Sequence, residues 1–222
     1  MVSRDLFLTA NGGLSYITNK MAPLLSYTEY ISDPAKPVPY AEAVHMGRTR
    51  EYMTDDQRFA ARRPDVLVYQ TPILDEDLTV AGTITADLMV SISGTDADFV
   101  VKIIDVFPDD FKYSNNDHYT MNGYQMMVRG EVMRGKFRNS FETPEAFVPG
   151  RATEVKFALP DLAHTFKKGH RLMVQIQSSW FPLVDRNPQK FVDIYHAQPV
   201  DFQKSTIKIF NNQSKLILPI LK

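Results

Sequence analysis

The 222-residue chain contains no cysteine. Disulfide staples, thiol nucleophiles, CxxC redox chemistry and thiolate metal centres are excluded together. An excess of charge of either sign is lacking as well: 25 Lys and Arg stand against 26 Asp and Glu, a net charge of −1. That leaves no electrostatic footprint for nucleic acid or for an anionic membrane surface, and neither is expected as a partner. No apolar run approaches the roughly 18 residues of a transmembrane helix, and residues 1–10 lack the apolar centre of a secretion signal. Tryptophan is nearly absent, Trp180 being the single copy. Internal repeats and low-complexity tracts are missing too. What is present is 44% hydrophobic and 23% charged, ordinary for a globular protein, and a β-sandwich of this length commonly forms one domain, here 1–222.

Alternating hydrophobicity dominates from residue 65 onward. Residues 83–93 set Ile84, Ala86, Leu88, Val90 and Ile92 against Thr83, Thr85, Asp87, Met89, Ser91 and Ser93, the period-2 pattern of a strand with one wet face. Phe99, Val101 and Ile103 alternate with Val100, Ile104 and Val106, as in a strand central to a packed sheet. Further strands are read over 66–70, 78–81, 123–134, 153–159, 171–177, 206–210 and 216–221, with a long polar loop at 108–122. About eight strands with turn signals between them predict an all-β, jelly-roll sandwich. Ahead of it, residues 5–9 return through Asn11-Gly12-Gly13 as a short hairpin. Residues 27–31 are extended, and the prolines of Asp33-Pro34-Ala35-Lys36-Pro37-Val38-Pro39 favour an extended arm lying on another surface. Thr54-Asp55-Asp56-Gln57 has the form of a capping box, opening a helix over 55–61 that Arg62-Arg63-Pro64 ends. Residues 1–64 thus read as a hairpin, an N-terminal arm and a short helix packed on the sandwich.

Residues 157–189 form the stretch around which the chain is organised. They read as a β-hairpin turning at Lys167-Lys168-Gly169, with Leu172, Val174 and Ile176 on its one buried face and Met173, Gln175 and Gln177 opposite. A loop follows, Ser178-Ser179-Trp180-Phe181-Pro182, continuing to Asp185-Arg186-Asn187-Pro188. Trp180, Phe181, Leu183 and Val184 are too much apolar surface for an ordinary solvent loop. Ser178, Ser179, Trp180, Phe181, Pro182, Arg186 and Asn187 are therefore expected to form a contact with another domain, and to allow self-association into a homo-oligomer when that domain is absent. On this reading, Trp180→Ala leaves the domain itself nearly as stable as before.

Catalytic chemistry is hard to find. Gly13-Leu14-Ser15-Tyr16 is half of a nucleophile elbow, with Ile17 and Thr18 where the second glycine belongs, and it follows a turn instead of a buried strand. The histidines His45, His118, His164, His170 and His196 are scattered. His164 and His170 bracket the Lys167-Lys168-Gly169 turn and could meet as two metal ligands, but a third at recognisable spacing is missing, so hydrogen-bonded turn histidines are the better reading. No metal and no cofactor is expected. Asp96-Ala97-Asp98, Asp109-Asp110 and Asn115-Asn116-Asp117 are read as turn formers bonding their own backbone. Arg129, Arg134, Lys136 and Arg138 are read as a solvated or interface-facing stripe, since no aromatic stacking platform accompanies them.

Several blocks are nonetheless familiar in their order: Met53-Thr54-Asp55-Asp56-Gln57-Arg58-Phe59 running on to Leu67, Gly94-Thr95-Asp96-Ala97-Asp98-Phe99, Gly123-Tyr124-Gln125, Arg134-Gly135-Lys136-Phe137-Arg138, Gly169-His170-Arg171, Ser178-Ser179-Trp180-Phe181-Pro182 and Arg186-Asn187-Pro188. Together they resemble the C-terminal, non-catalytic domain of the serine hydrolases that include X-Pro dipeptidyl-peptidases, cocaine esterase, glutaryl cephalosporin acylases and α-amino-acid ester hydrolases. The proline-rich arm is most similar to the ester hydrolase and acylase branch. The resemblance implies a galactose-binding-like jelly roll, and a Ser-Asp-His machinery on a preceding α/β-hydrolase domain that nothing in this chain matches. The expected role is to brace that domain and wall part of its active-site entrance, the chain being a part of a larger enzyme. The alternative is an autonomous carbohydrate- or ligand-binding module, for which Trp180 and Phe181 offer the one aromatic platform.

Overall fold

The computed structural model describes residues 1–18, 26–112 and 120–221. Asn115-Asn116-Asp117 and His118 lie outside the described residues. In chain order the strands are β1 (Val2–Leu8), β2 (Leu14–Ser15), β3 (Tyr27–Ser32), β4 (Leu67–Gln70), β5 (Leu78–Gly82), β6 (Thr85–Ile92), β7 (Asp98–Val106), β8 (Gln125–Arg134), β9 (Thr153–Ala158), β10 (Leu162–Phe166), β11 (Arg171–Gln177), β12 (Ser205–Phe210) and β13 (Lys215–Ile220). They form two antiparallel sheets. The larger has 9 strands, ordered β10-β5-β13-β6-β12-β3 with β1, β2 and β9 paired alongside; the smaller has 4, ordered β4-β11-β7-β8. This is the all-β, jelly-roll type of sandwich that the alternation predicts.

Between the sheets the period-2 faces meet. Ala86, Leu88 and Val90 of β6 and Ile207 and Ile209 of β12 share one core with Phe99, Val101 and Ile103 of β7 and Leu172, Val174 and Ile176 of β11. Full burial of such aliphatic and aromatic side chains contributes on the order of 2 kcal/mol each. β7 is buried on both faces over nearly its whole length, as its double apolar pattern predicts.

Residues 157–177 are not the hairpin that their spacing suggests. β10 pairs with β5 in the larger sheet, whereas β11 pairs with β4 and β7 in the smaller one. Lys167-Lys168-Gly169, with Gly169 at φ 88, is a corner that carries the chain from one sheet to the other. The physical reason is the shared core: Leu162 and Phe166 of β10 and Leu172 of β11 all bury into it, from opposite sides. Asp105 of β7 fastens the corner. Its Oδ2 accepts from His164 Nε2 of β10 at 2.9 Å and its Oδ1 accepts from His170 Nδ1 at 2.8 Å.

β11 also differs in having both faces buried. The polar face expected to be wet is covered by the arm and the loop. Gln175 Nε2 donates to Gln57 O at 3.2 Å, and Gln177 Nε2 donates to Ser179 O at 2.7 Å. The arm runs along the loop, with Tyr40 N donating to Phe181 O at 2.8 Å and Phe181 N donating to Val38 O at 3.0 Å. The helix is shorter than expected. Only Arg58–Ala61 is α-helical (α1), after a 3-10 turn at Glu51–Met53. The capping box does not form, because the Thr54 hydroxyl donates to Glu51 O and Gln57 is wholly buried, its side chain turned into the molecule.

Replacing Asp105 by alanine would strand two imidazole donors at the corner, one of them buried. A loss of about 3 kcal/mol in unfolding free energy is expected, with a smaller loss for Asp105→Asn, whose single carbonyl oxygen still accepts. Urea unfolding midpoints of the two variants test this; a loss below about 0.5 kcal/mol for Asp105→Ala would place the stability of the corner elsewhere.

Candidate functional site

On the outer face of the smaller sheet, the side chains of β7 that point away from the core are Val100, Lys102 and Ile104. Lys102 is fully buried. Its Nζ donates to Gln57 Oε1 at 2.9 Å and lies 5.1 Å from the Trp180 ring centroid and 5.8 Å from that of Phe59. Two aromatic faces and one amide oxygen replace water around the ammonium. No carboxylate among the described residues pairs with it, and burial alone lowers its pKa to about 7. Gly130 of β8 faces Lys102 in register, and a Cβ there would come within 3.0 Å of Trp180 Cη2, so the missing side chain makes room for the indole. Tyr40, Ala41 and Tyr52 from the arm and Leu183 and Val184 from the loop close a small outer core around Trp180 and Val100.

Beside it lies a buried polar seam. Asp96 Oδ1 accepts from Ala97 N and Lys136 N at 2.9 and 3.0 Å. Asn187 Nδ2 donates to Asp98 Oδ1 at 2.8 Å and to Asp96 Oδ2 at 3.2 Å, while its own carbonyl accepts from Gln189 N at 2.7 Å. Arg134 grips both oxygens of Asp98 at 3.1 Å and reaches Asp185 Oδ1 at 2.6 Å. Burial, reinforced by the neighbouring Asp98, pushes the Asp96 carboxyl up to about 6. Burial also raises Asp98, against the pull of Arg134. Gly94 allows the closest approach: a Cβ there would sit 2.3 Å from Gln189 O.

The loop residues singled out from the sequence divide in two. Ser178, Trp180 and Asn187 are buried within this chain, Ser179 is half-buried, and Phe181, Pro182 and Arg186 are exposed. Trp180 is only 6% exposed, so its apolar surface is covered without any partner. The expectation that Trp180→Ala leaves the domain intact is corrected accordingly, and the aromatic platform proposed for a sugar is reduced to Phe181. The basic stripe is corrected as well. Arg134 reaches into the seam, Lys136 donates its backbone N–H there while its ammonium donates to Val192 O at 3.0 Å, and the Arg138 guanidinium stacks 4.2 Å from the Phe147 centroid and donates to Glu145 O at 2.8 Å. The two aspartates are more than turn formers, since they hold Arg134 and the Lys136 backbone from one segment and Asn187 from another.

His164 and His170 do come together, on Asp105, as a structural clasp. Among the described residues no group of three or more His, Asp and Glu is arranged to hold a metal ion. Ser15 Oγ is engaged with its own turn, donating to Ile17 O at 2.9 Å and accepting from Ile17 N at 3.1 Å. The arrangement is a packed, hydrogen-bonded support, not a reacting centre.

Residues 24–212 match the family model described as the X-Pro dipeptidyl-peptidase C-terminal non-catalytic domain. The chain belongs to that family. A curated relative, the cocaine esterase of Rhodococcus sp. (strain MB1 Bresler), is 31% identical over 217 residues, which are 96% of this chain and 35% of the relative. A crystal structure of an aminopeptidase from the marine sediment archaeon Thaumarchaeota archaeon superposes with a TM-score of 0.91 at 40% identity, covering 100% of this chain and 37% of the other. An α-amino acid ester hydrolase superposes at 0.90 and 41% identity, covering 99% and 36%. The chain therefore spans about a third of the length of the relatives it matches.

Lys102 escaped the sequence reading although a signal was there. It is the one charged residue within Phe99-Val100-Val101-Lys102-Ile103-Ile104, a strand otherwise apolar on both faces. The same holds for the covering layer: Gln175 and Gln177 look like a wet face until the arm is laid over them.

Truncating Trp180 to alanine should cost about 3 kcal/mol or more in this chain alone, read from urea unfolding, because it opens a cavity beside a buried ammonium. The folded pKa of Lys102 lies near 7 and below its ordinary value of 10.5. Between these values the unfolded chain holds a proton that the folded chain lacks, so this group's contribution to stability rises with pH. Below about pH 7 the whole cost of burying the charge stands; above 10.5 it vanishes. Wild type should thus gain on Lys102→Met as pH is raised from 7 to 10, and parallel pH profiles would contradict the assignment.

Proposed function

We propose that this family domain braces the α/β-hydrolase part of a longer serine hydrolase of the X-Pro dipeptidyl-peptidase and ester hydrolase type, and walls part of the entrance to its active site. The observation that supports this reading is what the blocks that carry the family resemblance do. Gly94 to Asp98, Arg134 to Arg138 and Arg186 to Pro188 converge on the Asp96, Asp98, Arg134 and Asn187 seam. Met53 to Phe59 and Ser178 to Pro182 converge on Lys102. Such use of buried polar groups fixes the relative placement of surface loops and supplies no nucleophile, base or oxyanion hole. Residues 1–222 act as one unit in this role. Ser178, Ser179, Trp180 and Asn187 support the contact loop from behind, while Phe181, Pro182 and Arg186 touch the partner.

In the test, the isolated chain and the longest native polypeptide that carries it are treated with a fluorophosphonate probe and with p-nitrophenyl esters. Labelling and turnover are expected in the longer protein, at a serine outside these 222 residues, and not in the isolated chain. Stoichiometric labelling of Ser15 would overturn the reading.

A further inference from the structure

A second surface on this domain has the construction of a docking site. The segment between β8 and β9 is tied together by its own hydrogen bonds. Arg138 donates to the carbonyls of Gly135, Glu145 and Ala146, and Glu145 N donates to Lys136 O at 2.8 Å. A Cβ on Gly135 would meet both Ala97 O and the Phe147 ring at 2.6 Å, so the loop is seated tightly at its base. On this frame Phe141 stands 80% exposed, its ring 6.5 Å from that of Phe137. Phe137 separates two hollows. One, of ≈ 550 Å³, is lined by Phe141, Met133 and Phe157; the other, of ≈ 420 Å³, by Pro144, Phe191 and Val192. Lys136 ties the two sides together by donating from Nζ to Val192 O at 3.0 Å.

Single exposed hydrophobic residues are unremarkable, but a continuous aromatic strip rimmed by Glu131, Lys156 and Asp193 is not. Interfaces concentrate their binding energy in a few aromatic side chains seated beside pockets, within a polar rim. A loop already held by its own hydrogen bonds loses little entropy on docking.

We propose that the strip formed by Phe141, Phe137 and Phe191 is a second surface, besides the loop around Phe181, through which this domain docks onto the hydrolase part of a longer chain. The proposal rests on the reading given under Proposed function. The occupant follows from length: the relatives carry nearly two further chain lengths beyond the part matched here, which covers 35% to 37% of each. An inter-domain contact of ordinary size would cover the strip and both hollows.

Hydrogen exchange over residues 137–145 and 190–195 is compared between the isolated chain and the longest native polypeptide that contains it, each with and without Phe141→Lys. Exchange at least 10-fold slower in the longer protein is expected, and Phe141→Lys should remove that difference while leaving the unfolding midpoint of the isolated chain unchanged, since the side chain is exposed. Equal exchange over the strip, with protection gained elsewhere, would overturn this surface and leave the bracing role standing. A native polypeptide of only 25.3 kDa would overturn both. A dimer of the isolated chain that Phe141→Lys dissolves would make a second copy the occupant, and would also overturn the proposal.

Discussion

The outer half of this domain depends on one buried ammonium. Lys102 sits in the central strand of the smaller sheet, where every neighbour in sequence is apolar, and its charge needs partners if the strand is to pack on both faces. Trp180 from the loop, and Gln57 and Phe59 from the segment around α1, supply them. Burying a charge in such a place costs several kcal/mol, and the two rings and the amide oxygen that the covering segments bring to the ammonium offset part of that cost. The sheet, the arm and the loop are thereby made one packing unit.

A second set of charges does comparable work beside it. Asp96 and Asp98, two residues apart on the entry to β7, repel one another and are both shielded from water; Arg134, Asn187 and two backbone amides compensate. A half-satisfied network of this kind is worse than an apolar one, which is why the close contacts at Gly94 and Gly135 matter. Their lack of side chains lets the segments around 94–98, 134–138 and 185–189 approach closely enough to complete the hydrogen bonds. The same network borders both the loop around Phe181 and the segment around Phe141, so the placement of both depends on buried polar groups.

Much of the sandwich was legible in the sequence because side-chain alternation is a local signal. Ile84 to Ile92 and Phe99 to Val106 announce their strands, and the burial of β7 on both faces is visible in its double apolar pattern. What was not legible is non-local. The Lys167-Lys168-Gly169 turn has the same local chemistry whether it closes a hairpin or moves the chain between sheets, and only the shared burial of Phe166 and Leu172 decides. Gln57 illustrates the competing pulls: its spacing from Thr54 fits a helix cap, but the amide is taken by Lys102, and tertiary demand wins over the local motif. Trp180 was rightly read as too apolar for a free loop. Its cover, however, comes from Tyr40, Tyr52 and Val184 of the same chain, residues that carry no periodic signature.

Because Trp180 is the single tryptophan, its fluorescence reports on this layer without interference. The most direct measurement is the emission spectrum and acrylamide quenching of the isolated chain at neutral pH. A blue-shifted emission, poorly quenched and moving to the red in step with global unfolding in urea, is the result predicted for an indole packed over Lys102 by its own domain. An emission typical of water-exposed tryptophan, freely quenched in the folded chain, would contradict the account.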